Sequence, residues 1–251
     1  MPDHPDRQSC TPEASGALHA SGTVQPSAMS FDEAARFCAG LRRSPTPLAR
    51  PVVVLDGWHS PGITAWGLAR RLCAMTSRRW RDFTWSTYAW AISLEMACAH
   101  AHKTLAKADL LGREIDVVGI SMGGLVARAL AGGVLGGGDV RIHRLFTIAS
   151  PHQGARLARH IRLDRASAQM KPGSAFLASL DRALGDATFR LRSYGIGRDW
   201  LVGAENVAPP RARAIVVSPR GVFARRLSHF ASIYDPRIQG DIAWRLRSPD
   251  A

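Results

Sequence analysis

Short apolar segments alternate with segments of helical periodicity along most of this chain, and this alternation restricts the folds open to it. Segments such as 52–55 and 115–120 are dominated by Val, Ile and Leu, as in strands that are buried on both faces. Strands that alternate with helices imply a mostly parallel sheet with helices on both faces. The predicted fold class is therefore α/β. About six strands are expected, at residues 52–55, 83–88, 115–120, 144–149, 188–194 and 213–217.

The predicted helices lie between these strands and towards the two ends of the chain. Apolar residues recur at helical spacing over residues 31–43, 62–76, 93–111, 125–131 and 236–246. Residues 1–50 are expected to form a flexible N-terminal tail with one short helix, and residues 51–251 to form the domain. Within the domain, residues 153–187 break the alternation into glycine-punctuated helical pieces, which predicts an insertion outside the sheet.

Length and composition exclude several classes of protein. A chain of 251 residues with 46% hydrophobic residues can bury the core of one large domain, which excludes a disordered or fibrous chain. Its longest apolar stretches are far shorter than the roughly 20 residues that cross a bilayer, so no transmembrane segment is expected. The four cysteines are widely spaced, and the N-terminus lacks the apolar segment of a secretory signal. Reduced thiols and a cytoplasmic location are therefore expected, without a zinc site or a disulfide framework.

The strong positive charge requires a separate interpretation. A formal charge of +13 is a candidate signature of nucleic-acid binding. However, the basic residues are scattered along the chain, and only three of the 33 are lysines, which indicates a general preference for arginine. No recognised nucleic-acid-binding motif accompanies the charge, so no specific nucleic-acid partner is expected. The oligomeric state does not follow from the sequence.

The strongest local motif is Gly-Ile-Ser-Met-Gly at residues 119–123, between the predicted strand at 115–120 and the predicted helix at 125–131. A serine on such a sharp strand-to-helix turn has a strained backbone, and flanking glycines let neighbouring segments approach without a Cβ clash. The turn leaves the hydroxyl exposed at the end of the sheet, as in a nucleophile elbow. Ser121 is therefore the candidate nucleophile.

Together with further segments, this motif resembles the α/β-hydrolase superfamily, and its lipase and esterase branch in particular. The segments are Leu-Asp-Gly-Trp at 55–58, Ile-Ala-Ser-Pro-His-Gln-Gly at 148–154, a stretch at 194–202, and His229. One departure is that lipases usually have His-Gly after the first strand, where this chain has Asp-Gly. The resemblance spans about residues 51–246. It implies hydrolysis of carboxylic esters through an acyl-enzyme on the serine, without a metal or other cofactor.

A serine hydroxyl needs a general base, and the base needs a carboxylate to orient it. The superfamily has the chain order serine, acid, histidine, and of nine histidines only His229 follows the later predicted strands. Asp199 is the preferred acid, because the segment that it opens resembles the Asp-x-x-Val segment of lipase-like members. Glu205 is the alternative if residues 200–202 form the strand. His152 precedes both acids, so it is expected to brace its loop instead.

The same resemblance assigns the oxyanion hole and a lid. The main-chain N–H groups of Trp58 and Met122 would stabilise the negative charge that develops on the carbonyl oxygen. The insertion at 153–187 would cover the site as a small apolar lid, which favours an apolar acyl ester as the small-molecule substrate. An acyltransferase or thioesterase with the same three residues is the alternative enzyme. A catalytically inert binding protein with a basic surface is the alternative from another class.

Overall fold

Six parallel strands form one sheet in the computed structural model, which describes residues 25–160, 163–221 and 227–248. They lie in the order β2-β1-β3-β4-β5-β6, and every pair of neighbours is parallel. The predicted α/β class with a six-stranded parallel sheet is confirmed. The strands are β1 (Val52–Leu55), β2 (Phe83–Ser86), β3 (Glu114–Ile120), β4 (Arg141–Ile148), β5 (Arg190–Ile196) and β6 (Ala214–Val217).

Helices cover both faces of this sheet. They are α1 (Phe31–Arg43), α2 (Ile63–Met75), α3 (Leu94–Lys107), α4 (Met122–Ala131), α5 (Arg165–Gln169), α6 (Ala175–Ala183), α7 (Ser228–Tyr234) and α8 (Pro236–Arg247). Successive strand residues point to opposite faces and so supply two cores. In β1, Val53 and Leu55 pack with α3, α4 and α6, whereas Val52 and Val54 pack with α1, α2 and α8.

The first helix belongs to the second of these cores. Ser30 caps α1 in a capping box with Glu33, and Cys38 is buried with its Sγ atom 3.4 Å from the carbonyl oxygen of Pro236 at the start of α8. Residues 25–50 of the expected tail therefore include a helix that packs against the C-terminal helix. Residues 1–24 lie outside the described residues, and the division into tail and domain stays a prediction.

Two of the differences from the expected elements lie next to the candidate site residues. Helix α4, which directly follows Ser121, begins at Met122, three residues before the predicted start, because its two glycines were assigned to the turn. Helix α7 was not predicted, and it contains residue 229. Within the described residues, no helix is long and apolar enough to cross a membrane.

An ion pair in the sheet interior fixes the C-terminal helix. The guanidinium of Arg144 in β4 lies 2.9 Å from the carboxylate of Asp116 in β3, and both side chains are buried. The same guanidinium donates to the carbonyl oxygens of Arg245 and Ser248 at the end of α8. Four acceptor contacts satisfy the buried cation and tie strands β3 and β4 to the end of α8.

Candidate active site

The candidate residues lie towards one edge of the sheet because all six strands run in the same direction. Ser121 follows β3, Trp58 follows β1, Asp199 follows β5, and His229 lies beyond β6. The strand order changes direction between β1 and β3, and in open parallel sheets the crevice outside the carboxyl ends at such a point is where ligands bind. The loops after β1 and β3 border this crevice.

Ser121 has the strained backbone expected of a nucleophile elbow. Its φ of 50° and ψ of −119° are unusual for a residue with a Cβ, and its N–H donates to the carbonyl oxygen of Ile148 at 2.8 Å. The neighbouring positions must be glycine because a Cβ atom there would clash with the main chain. A Cβ on Gly119 would lie 2.5 Å from the Cα atom of Gly124, and one on Gly123 would overlap the carbonyl oxygen of Leu55.

The loop after β1 lies directly against this elbow. A Cβ on Gly57 would be 3.5 Å from the Cβ atom of Ser121. The buried carboxylate of Asp56 fixes the loop from below, with Oδ1 accepting from the Gly57 N–H at 2.8 Å and Oδ2 from the Ala65 N–H at 3.2 Å. Burial raises the pKa of Asp56, although these hydrogen bonds oppose the effect. Asp56 therefore braces the loop at the position where lipases usually have histidine.

Two main-chain N–H groups next to the elbow are available to a ligand. Neither the N–H of Trp58 nor that of Met122 donates a hydrogen bond to another of the described residues. Met122 is the first residue of α4, where main-chain N–H groups have no partner within the helix and the helix dipole favours negative charge. The arrangement can accept a developing oxyanion.

Asp199 and His229 form a buried hydrogen-bonded pair. The Nδ1 atom of His229 lies 2.9 Å from Oδ2 of Asp199, and the two residues are 6% and 1% exposed. The other carboxylate oxygen accepts from the N–H groups of Leu201 and Val202 at 3.0 and 3.1 Å. An ionised carboxylate can only accept, so with Asp199 ionised the Nδ1 atom donates, and a neutral imidazole then has its lone pair on Nε2.

Local hydrogen bonds orient the histidine's helix. Ser228 donates to the carbonyl oxygen of Arg198 at 2.7 Å, which ties the start of α7 to the loop that carries Asp199. Within the described residues, no hydrogen bond joins the Ser121 hydroxyl to His229. Catalytic hydrogen bonds are often long or poorly aligned in structures without substrate. The structure thus pairs His229 with Asp199 and places Ser121 at the same edge of the sheet.

Glu205, the alternative acid, points elsewhere. Its carboxylate is about half exposed and lies 2.7 Å from the guanidinium of Arg156. Residues 200–202 form no strand, so the condition under which Glu205 would follow a strand directly is not met. Asp235, which follows the histidine in the chain, caps α8 by accepting from the Arg237 N–H.

His152 is buried in a polar network behind the elbow. Its Nδ1 atom lies 3.2 Å from the Arg128 guanidinium, and its Nε2 atom lies 3.0 Å from the Thr147 hydroxyl. Burial and the adjacent cation hold the pKa of His152 well below its usual value, so the ring is neutral. Arg128 also pairs with Asp181 of α6 at 2.9 Å. The network therefore connects the helix of Ser121 to the insertion.

One residue of the site has no counterpart in the sequence interpretation. Asp164, the N-cap of α5, accepts from the Trp58 indole N–H at 2.9 Å and lies 2.8 Å from Nε2 of His59. Its spacing to Ser167 could have indicated a helix cap, but no local pattern shows that its free oxygen contacts a loop more than a hundred residues earlier.

Among the described residues, no group of three or more His, Cys, Asp or Glu side chains could hold a metal ion.

Comparisons with known proteins identify the fold. No family model and no curated protein matches the sequence. The mature lipase BlEst2 of Bacillus licheniformis superposes with a TM-score of 0.55 at 16% identity, over 82% of this chain and 93% of that one. The chain has the α/β-hydrolase fold. The Listeria innocua lin2722 product gives a TM-score of 0.53 at 12% identity, over 80% of this chain and 95% of that one. Aspergillus fumigatus lipase B gives 0.52 at 14% identity, over 76% of this chain and 51% of that one.

Proposed function

We propose that this chain is a serine hydrolase that cleaves carboxylic esters with an apolar acyl group. Ser121 is the nucleophile, His229 the general base and acid, and Asp199 the carboxylate that orients the imidazole. The main-chain N–H groups of Trp58 and Met122 form the oxyanion hole. The reaction uses side chains and main-chain groups of this chain alone, without a cofactor.

The proposed reaction has two matched halves. The Oγ atom of Ser121 attacks the ester carbonyl carbon while its proton passes to Nε2 of His229. The C–O bond of the ester then breaks, and the alcohol leaves with that proton. Water repeats the sequence: it gives a proton to the imidazole, its oxygen bonds to the acyl carbon, and the serine leaves with the proton as the carboxylic acid is released.

The buried Asp199–His229 pair is the observation that carries this proposal. A carboxylate that accepts from Nδ1 fixes the tautomer whose Nε2 lone pair can take the serine proton. The pair lies beyond β5 and β6, at the edge where the strained Ser121 follows β3. Burial shields the pair from competing water, and two main-chain N–H groups hold the carboxylate in place.

Exposed apolar side chains around this edge support an apolar substrate. We define the apolar rim as six large hydrophobic residues on the loops and helix starts at the carboxyl ends of the strands, each at least half exposed: Ile63, Trp90, Ile92, Leu163, Trp200 and Phe230. Exposed apolar patches near a site commonly mark a ligand or interaction surface. Leu163 belongs to the insertion, which we propose acts as a lid through α5, since α6 packs in the core against α4.

Hydrolysis of p-nitrophenyl esters of graded chain length tests the proposal. The wild type should release p-nitrophenol and favour the longer acyl chains, and Ser121→Ala should lower kcat by several orders of magnitude while the folded state persists. Glu205→Gln is the control. Glu205 follows Asp199 by six residues, and its carboxylate pairs with Arg156 at the surface. Retention of a tenth of the wild-type rate in Ser121→Ala would overturn the assignment.

The fate of the acyl group distinguishes hydrolysis from transfer. An added alcohol competes with water for the acyl-enzyme, and the ratio of ester to acid products measures this competition. A hydrolase should give mainly acid at millimolar alcohol. Predominant transfer to the alcohol would replace the hydrolase assignment with an acyltransferase that uses the same residues.

A further inference from the structure

The carboxylate of Asp164 bridges the insertion and the loop that follows β1. Its Oδ1 atom accepts from the Ser167 N–H at 2.7 Å and so caps α5. Its Oδ2 atom accepts from the Trp58 indole N–H at 2.9 Å and lies 2.8 Å from Nε2 of His59. Each oxygen of one side chain thus serves a different segment of the chain.

The insertion holds this carboxylate firmly. The Ser167 hydroxyl accepts from the N–H groups of Leu163 and Asp164 and donates to the Asp164 carbonyl oxygen at 2.7 Å. Helix α5 is itself attached to the start of α3, because the Ala166 N–H donates to the carbonyl oxygen of Ile92 at 2.8 Å. The side chain of Gln169 adds a second attachment to the start of α3.

The loop after β1 has a strained residue that the contact with Asp164 helps to hold in place. His59 has a φ of 52°, a conformation that costs a residue with a Cβ about 1–3 kcal/mol and persists only where its surroundings impose it. Asp56 fixes the loop on its inner side at Gly57. Burial alone would raise the pKa of Asp164, but hydrogen bonds from His59, Ser167 and Trp58 outweigh burial and lower it. The carboxylate is therefore an anion that attracts both ring N–H groups.

We propose that Asp164 is a positioning residue that holds the Trp58 main-chain N–H in the oxyanion hole through the Trp58 indole and the His59 ring. This inference rests on the proposed function, since it assigns Trp58 to the hole. A displacement of about 1 Å in such a group can lower the rate of reaction by about 100-fold. The insertion would then contribute to catalysis itself, in addition to covering the site.

Asp164→Ser separates the two tasks of the carboxylate. Serine is a good N-cap, so α5 keeps its cap, but the shorter side chain leaves no oxygen to reach the indole. Trp58→Phe removes the same contact from the other side and keeps the main-chain N–H. Asp139→Ser is the matched control: Asp139 also pairs with a histidine, His102, at 2.9 Å, but it lies just before β4, at the opposite edge of the sheet.

Steady-state kinetics on one p-nitrophenyl ester give the result. We expect Asp164→Ser and Trp58→Phe each to lower kcat by about 10- to 100-fold with KM nearly unchanged, and the double variant to be no slower than the slower single variant. The control should match the wild type. An unchanged kcat in Asp164→Ser, a loss confined to KM, or an additive double variant would overturn the positioning role.

Reaction with a fluorophosphonate separates this inference from the proposed function. If the wild type neither hydrolyses the ester nor reacts with the probe at Ser121, the proposed function fails. If the wild type does both and Asp164→Ser matches its kcat, only the positioning role fails. Thermal unfolding of each variant checks that the changes in kcat occur in folded protein.

Discussion

Replacing Asp199 with asparagine is the most informative change to the candidate site, because the structure fixes how the amide would lie. One carboxylate oxygen accepts from two main-chain N–H groups, of Leu201 and Val202. The amide oxygen must take this position, since an NH₂ group there would face two donors. The amide NH₂ group then faces Nδ1 of His229 in place of the oxygen that lies 2.9 Å from it.

That arrangement selects the wrong tautomer of the imidazole. An amide NH₂ donates, so Nδ1 must become the acceptor and the ring proton must move to Nε2. A protonated Nε2 cannot accept the proton of Ser121. The same change in a serine protease triad lowers kcat about 10⁴-fold, which corresponds to about 5 kcal/mol of barrier at 1.36 kcal/mol for each tenfold. We expect a loss of this order in Asp199→Asn.

The assay is kcat on a p-nitrophenyl ester, with Glu205→Gln as the control and thermal unfolding as the measure of fold. The Asn variant should keep a thermal midpoint near that of the wild type, because both main-chain contacts survive. Glu205→Gln should change kcat by less than about twofold, as its carboxylate pairs with Arg156 at the surface. A folded Asp199→Asn variant with kcat within tenfold of the wild type, or a large loss of kcat in Glu205→Gln, would show that Asp199 does not orient the imidazole.

Three further predictions concern stability. Gly123→Ala places a Cβ against main-chain oxygens of β1, so both the denaturation midpoint and kcat should fall, whereas Gly40→Ala, with no atom in the way, should raise the midpoint slightly. Arg144→Met leaves the buried carboxylate of Asp116 without its partner and should lower the free energy of unfolding in urea by about 3–5 kcal/mol. A decrease below about 1 kcal/mol would show that the pair is dispensable. Burial and a neighbouring arginine lower the pKa of His152, so its stabilising contribution is full above about pH 6.5 and is lost as pH falls and the unfolded chain takes up a proton. His152→Gln should reduce the decline in unfolding free energy between about pH 6.5 and 5, and an identical pH profile would contradict this.

The centre of the sheet could be predicted because strands β1 and β3 are buried on both faces. β1 is a short run of four apolar residues rich in valine, which favours a buried strand, and β3 has a similar run before the elbow. Helix α7 could not be predicted in the same way. It is short, its first residue is a serine, and its position depends on the contact between Ser228 and the carbonyl oxygen of Arg198.

The residues of the candidate site also differ in how far local sequence could predict them. Ser121 is set by local sequence, since the glycines around it serve a turn that forms within a few residues. The Asp199–His229 contact joins residues 30 apart, and the sequence could supply only chain order and resemblance. Asp164 meets Trp58 across 106 positions through a free carboxylate oxygen, and such a contact leaves no periodicity or motif in the sequence.

Labelling with a fluorophosphonate, followed by peptide mass spectrometry, shows directly whether Ser121 is an activated nucleophile. The probe reacts with a serine only where a base activates it and an oxyanion hole receives its phosphoryl oxygen. The folded wild type should be labelled on the peptide that contains Ser121, Ser121→Ala should not be labelled, and Asp199→Asn should be labelled far more slowly. Absence of labelling in the folded wild type, or labelling that persists in Ser121→Ala, would show that Ser121 is not the activated nucleophile.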